Sequence, residues 1–470
     1  MNKFYRIINN EILQRCILVL LTIIICLCFV YANKYISVHS DPSYYLGVSY
    51  LIMDGKIPFV DFKLDYAPLS FYLMCILFLI FGKTYTYAIT VLYVIHSINA
   101  FLVFKILRKQ NISFNWAWFG GILFFMYCFV MEGFLYVLEP FVLLFGLLSL
   151  IFVQKKQSGY YILAGLLCAG SFLCKQYGLG FLFLNLSFVI VQNHYSKQGI
   201  KDSAYIILGF LLGLSIFIIL MVSQGVSLRQ MVDLSGSDYK KNGLHGFLAA
   251  WFYLFKVIAP IYLALSAALW HYKKVLKDGF WVVSICGLAG FMLPCFVRLY
   301  IHYLLLPLPF IIFIIIYIIP HISKPHFKTL YICFLFIITL VTTFKILKST
   351  NWIITNNLRA EQELLSLKVS KYIPKSETNV FSSLRALPIS LINTYEPPLL
   401  KKYGMSNGFV ERAEGVEDLI KNADYAIINE QDMISPYQFY TPQVKEYLKT
   451  KFKSIIIHEK HDKYFVYIRK

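Results

Sequence analysis

The chain has 470 residues, of which 58% are hydrophobic, 17% aromatic and only 15% charged, with a net charge of +19. Repeated apolar runs near the length of a membrane span exclude an ordinary soluble globular protein and point to a polytopic membrane protein. The positive charge excludes a nucleic-acid binder too, because it falls in short clusters between apolar runs rather than on a continuous basic face with stacking aromatics.

The first apolar run, Cys16 to Tyr31, follows Lys3, Arg6 and Arg15. Val30-Tyr31-Ala32 passes as a signal-cleavage site, but the length of the run and the loops after it fit a retained anchor. With the amino terminus inside, eleven transmembrane helices are predicted, at 12–31, 86–107, 115–131, 139–153, 160–175, 177–193, 203–223, 247–270, 279–296, 302–319 and 328–347. This layout puts the basic clusters Lys105 to Lys109, Lys155-Lys156, Lys197 with Lys201, Lys273 to Lys277, and Lys324 with Lys328 on the cytoplasmic side, where Lys and Arg resist translocation. Asp41, Asp54, Asp61, Asp65, Glu132, Glu139, Asp233 and Asp238 all fall outside. Leu69 to Phe81 is apolar but too short to span, and it reads as a re-entrant or surface-lying helix of the first external loop, residues 32–85. Counting it as a span would turn the basic clusters outward.

Residues 1–349 thus form the transmembrane domain, and 350–470 a small soluble α/β domain on the extracytoplasmic side. In that tail Trp352 to Lys371 reads as an amphipathic helix. Asn379 to Phe381, Tyr425 to Ile428 and Ser454 to Ile457 have strand length, and Glu459 to Lys463 form a turn before a closing strand, Tyr464 to Ile468. All ten cysteines precede residue 334 without CxxC or metal-type spacing, so they read as small core residues.

Cytoplasmic loops are short and basic, so function is expected on the external face. Asp41, beside His39 and Pro42, suits a helix start and equally a general base. Glu139 in Leu138-Glu139-Pro140 is either a helix-start charge favoured by the dipole or a site acid, and Glu132 is a weaker candidate. Lys175, between two apolar runs, either snorkels to the surface or holds an anion. Arg298 and His302 share a face if helical and suit a phosphate, while Arg298 and Tyr303 also read as interfacial anchors. Asp233, Asp238, Lys240, Lys241 and His245 lie in a Gly- and Ser-containing loop that reads as solvated or as a substrate lid. No P-loop, GxGxxG, HExxH or GxSxG motif sits in a fitting context.

In order along the chain, Asp41-Pro42-Ser43-Tyr44-Tyr45, Gly55-Lys56-Ile57-Pro58-Phe59-Val60-Asp61-Phe62, Tyr66-Ala67-Pro68-Leu69, Leu138-Glu139-Pro140, Leu173-Cys174-Lys175-Gln176 and Tyr300-Ile301-His302-Tyr303 resemble the GT-C superfamily of glycosyltransferases. The branch concerned is that of protein O-mannosyltransferases and aminoarabinose-transferring lipid A enzymes, over roughly residues 1–320. The resemblance implies inverting transfer of a sugar from a polyprenyl-phosphate donor to a lipid, glycan or protein acceptor at the external face. Asp41 is then the base and Glu139 helps position a substrate. Lys175, Arg298 and His302 neutralise the departing lipid phosphate, and Tyr45, Asp61, Tyr300 and Tyr303 join in substrate binding. Pro42 stands where a second acid is common, so a divalent metal stays an open requirement. The implied setting is a bacterial inner membrane, with lipids and no nucleic acid as partners. A transporter or flippase of lipid-linked saccharides is the alternative, although the external clustering of charge and the unmatched halves disfavour it. A non-catalytic assembly subunit is the third reading.

Overall fold

The computed structural model describes residues 40–62, 64, 66–82, 85–193, 196–232, 278–293, 300–373, 380–382, 423–430, 442–459 and 462–470, with a few scattered positions elsewhere. Nine of the eleven predicted spans fall on helices within these residues, while 12–31 and 247–270 lie almost wholly outside them. Among the described residues four helical segments are long and apolar enough to cross a membrane: Tyr87–Lys109, Lys197–Ser223, Ile301–His321 and Pro325–Ser370. Six shorter apolar helices accompany them, and the chain is an integral membrane protein.

Among the described residues the predicted first external loop is largely helical. α1, Ser40–Met53, opens on Asp41-Pro42, a pairing that suits the first turn because proline has no N–H to waste there. It stops at Gly55, whose φ of 79° lets the Lys56 N–H reach the Leu51 carbonyl and the Gly55 N–H reach that of Ile52. α2, Leu69–Phe81, has 13 residues as its sequence implied, about 20 Å of helix against a hydrocarbon core of about 30 Å. Phe71, Met74, Cys75 and Phe78 form its buried face, and Ile76, Leu79, Ile80 and Phe81 are exposed on the other.

The helices that follow are α3 (Tyr85–Lys109), α4 (Phe114–Val130), α5 (Glu139–Val153), α6 (Ser158–Cys174), α7 (Leu179–Gln192), α8 (Lys197–Ser223) and α9 (Gly279–Met292). α8 begins earlier than the predicted span at 203, because Ser196 caps it by accepting from the Gly199 N–H. α6 and α8 pack backbone to backbone: a Cβ on Gly165 would lie 2.0 Å from the Ile206 carbonyl, and one on Gly209 equally close to that of Ile162. After a 3-10 turn, Ile301–Leu305, α10 (Leu308–Tyr317) is buried on every side, as a helix apolar all round should be.

α11, Pro325–Asn356, runs past the predicted end at 347. The amphipathic helix placed at Trp352 to Lys371 is therefore two pieces. α11 continues to Asn356, Asn357 turns left-handed (φ 43°), and α12 covers Leu358–Ser370 with the Asn357 side chain capping Ala360. Asparagine tolerates that conformation better than most residues.

In the tail, β1 (Val380–Ser382), β2 (Tyr425–Asn429), β3 (Phe452–Glu459) and β4 (Asp462–Arg469) form one sheet in the order β1-β2-β4-β3. β1 runs parallel to β2, β4 antiparallel to β2, and β3 and β4 make the expected hairpin with Glu459 opposite Asp462. Alternation sends Ala426, Ile428 and Tyr467 to one face, against Val444 and Leu448 of α13 (Pro442–Lys451). Ile427, Ile457 and Val466 meet Leu365 and Val369 of α12 on the other.

Candidate active site

Glu139 opens α5 and is fully buried, at the helix end where the dipole favours a carboxylate. Lys175 follows the last residue of α6 in an extended conformation, also buried at 1% exposure. The two helices are stitched near this point by the Ser171 hydroxyl, which donates to the Val142 carbonyl of α5 at 2.9 Å. Lys175 Nζ then donates to Glu139 Oε1 at 2.5 Å. Glu139 Oε2 has no hydrogen-bond partner among the described residues.

Three tyrosine rings surround the Lys175 ammonium. Its distance to the ring centre is 4.4 Å for Tyr303, 5.1 Å for Tyr66 and 5.6 Å for Tyr177. A cation held over aromatic faces is stabilised by the ring quadrupoles, more so away from water. The cage draws on separate parts of the chain: Tyr66 from the first external segment, Tyr177 from the turn after α6, and Tyr303 from the turn before α10. Tyr45 of α1 packs edge-on against Tyr66 and Tyr136, which extends the aromatic wall.

Beside this cage His302 is buried, stacked on Tyr300 with centroids 5.2 Å apart and edge-on to Tyr303. Its Nδ1 lies 3.4 Å from Glu132 Oε2. Glu132 has φ 61°, a left-handed backbone that costs a residue with a Cβ on the order of 1 kcal/mol. α3 holds the connection at either end, beside the site acids. His96 Nε2 hydrogen-bonds the Gly133 carbonyl at 3.0 Å, and Asn99 Nδ2 donates to the Pro140 carbonyl at 2.9 Å. Both side chains are fully buried.

Of the residues singled out from sequence, Tyr45, Glu139, Lys175, Tyr300, His302 and Tyr303 come together. Asp61 does not join them by any described contact; its carboxylate accepts from the Ile57 N–H at 2.7 Å and closes its own turn. Asp41 lies in the first turn of α1, with its side chain outside the described set, and Arg298, Asp65, Asp233, Asp238, Lys240 and Lys241 are outside it altogether. His245 is described and exposed. Two pairings were not foreseen: Lys175 with Glu139 and His302 with Glu132. His96 and Asn99 were missed, although two polar residues three apart in an apolar helix are a legible signal. Among the described residues no group of three His, Cys, Asp or Glu side chains is placed to share a metal ion.

No protein-family model matches the sequence, and no curated protein matches it by sequence. Solved structures do match by fold. ArnT from Cupriavidus metallidurans bound to undecaprenyl phosphate superposes with a TM-score of 0.60 at 12% identity, covering 96% of this chain and 97% of that one. The same protein in the apo state gives 0.60 at 10% identity, over 96% and 97% of the two chains. The oligosaccharyltransferase AglB from Archaeoglobus fulgidus, in complex with an inhibitory peptide and a dolichol-phosphate, gives 0.51 at 10% identity over 97% of this chain and 74% of its own. The chain thus shares its fold with these two proteins over nearly its whole length.

Proposed function

We propose that this chain is a membrane glycosyltransferase that moves a sugar, with inversion, from a polyprenyl-phosphate donor to an acceptor at the extracytoplasmic face. The observation that carries the reading is the caged Lys175, a buried cation at the end of a membrane helix in a fold shared with a lipid-phosphate-bound enzyme. An ammonium has three N–H donors, and Glu139 takes one of them. Two are left for the oxygens of a departing lipid phosphate. As the glycosidic bond breaks, negative charge collects on those oxygens, and a cation already fixed in a poorly hydrated place lowers the barrier.

In this scheme Glu139 aims Lys175 rather than meeting the acceptor. His302, oriented by Glu132, and Arg298 add donors to the same phosphate. Asp41, at the start of α1, takes the proton of the acceptor hydroxyl as it attacks the anomeric carbon from the face opposite the phosphate. The polyprenyl tail lies in the membrane beside the helices, and residues 350–470 form the external domain over the acceptor.

The test is to incubate the purified protein, in lipid nanodiscs, with a panel of polyprenyl-phosphate sugars and follow free polyprenyl phosphate. Release with at least one donor, lost in Asp41→Asn, upholds the reading. No release from any donor across an acceptor panel, or release unchanged in Asp41→Asn, overturns it or its base.

A further inference from the structure

At the end of α6 remote from Lys175, about 25 Å along the helix, lies a polar cavity of about 320 Å³. Six of the eight side chains lining it are polar, and the other two are the tyrosines Tyr161 of α6 and Tyr205 of α8. Lys156 and Ser158 come from the α5–α6 turn, Asn193 from the end of α7, and Gln198, Lys201 and Asp202 from the first turns of α8. A polar face at the foot of an otherwise apolar membrane helix is a candidate for function.

The pairing inside the cavity is informative. Asp202 is buried, and both its oxygens are taken by amides: Asn193 Nδ2 at 3.2 Å and Gln198 Nε2 at 2.6 Å. Neither Lys156 nor Lys201 forms an ion pair among the described residues, although a carboxylate stands in the same cavity. The amides hold the acid and leave the two ammonium groups for an anion from outside. Lys156 adds a φ of 56°, where glycine or asparagine would sit more cheaply. Gln157 caps the start of α6 with no side-chain bond, so the first N–H groups of that helix add to the positive field.

We infer that this cavity binds the phosphate ester of a membrane-lipid headgroup, at the membrane face opposite the caged lysine. Basic pockets between membrane helices are suited to such headgroups. The neighbouring surface supplies the apolar half of the ligand's needs: Ile200, Ile207, Leu208 and Leu211 of α8 are exposed and lead away from the cavity along the helix. A soluble phosphate would use the lysines but not this path.

The experiment uses the full chain in detergent, with phosphatidylglycerol retention counted by native mass spectrometry. Glycerol phosphate and inorganic phosphate are assayed in parallel by thermal shift. The double variant Lys156→Gln/Lys201→Gln is expected to bind phosphatidylglycerol about tenfold more weakly, since it loses both charge-assisted contacts to the phosphate. The control Lys324→Gln/Lys328→Gln, in another basic cluster, should bind as the parent does. If the double variant does not fold, Lys201→Gln alone should move in the same direction. Stabilisation by the soluble phosphates that is lost in the variant, without a change in lipid retention, upholds an anion site and overturns the lipid. Equal retention of every probe by parent and variants, or an equal loss in the control, overturns the site.

Discussion

Glu139 and Lys175, which begin and follow two neighbouring apolar helices, meet at 2.5 Å with both side chains closed to solvent. Removing one partner of such a pair strands the other charge in a poor solvent, at a cost of about 3–5 kcal/mol, whereas replacing both by neutral groups of similar volume is far milder. Lys175→Met and Glu139→Gln should each lower thermal stability in detergent sharply. The double variant should recover most of the loss, yet sugar transfer should stay strongly reduced in all three. A double variant no more stable than the singles would show that the pair is not a closed unit.

The donor side of the proposed reaction can be separated from the acceptor side. Lys175→Ala and Arg298→Ala should reduce turnover on the order of 10²-fold, as loss of a fixed charge-stabilising donor does elsewhere. The kinetic effect should fall on the polyprenyl-phosphate substrate when each substrate is varied in turn. Equal loss toward both substrates would count against a phosphate role.

His96 and Asn99 never reach the aromatic cage, but they hold the backbone that carries Glu132 and Glu139. Asn99→Leu leaves the Pro140 carbonyl without its donor, a penalty of about 1–3 kcal/mol for a buried group. We expect lower kcat with little change in donor KM, and partial rescue by Asn99→Gln. Gly133→Ala should be worse, because the new Cβ would sit 2.4 Å from the Cys128 carbonyl. Unaltered turnover in Asn99→Leu would mean that the grip from α3 does not set the position of the acids.

Sidedness has an independent check. The tail beyond residue 350 has no cysteine, and Lys449 on α13 is exposed. Lys449→Cys should react with a membrane-impermeant maleimide on intact cells. Labelling only after the membrane is broken would invert the layout drawn from the basic clusters.

Much of this architecture can be read from apolar run length and charge sign. The 13-residue α2, the paired β3 and β4, and the helix start at Glu139-Pro140 all follow from local chemistry. Segments whose form depends on distant neighbours or on a single cap are harder to read. α1 lies in what composition marks as loop, and Ser196 extends α8 by almost two turns. The break at Asn357 falls inside a run whose periodicity continues through it. In the site, each of Glu139, Lys175 and His302 is conspicuous as a polar residue among apolar ones, but spacing carries no information about pairing. That Lys175 faces Glu139, and His302 faces Glu132, is settled by how α5 and α6 cross and by a left-handed residue at 132 that no motif announces.

Asn357 has a mechanical corollary. A helix of 32 residues and one of 13 are joined there by a single residue, and the second helix is glued to the tail's sheet through Leu365 and Val369. Arg359, two residues on, lies over the Tyr85 ring at the foot of α3. The tail is thus bolted to the bundle like a bracket rather than hung from it on a cord. Swinging it requires either bending α11 or prising Arg359 off its aromatic seat.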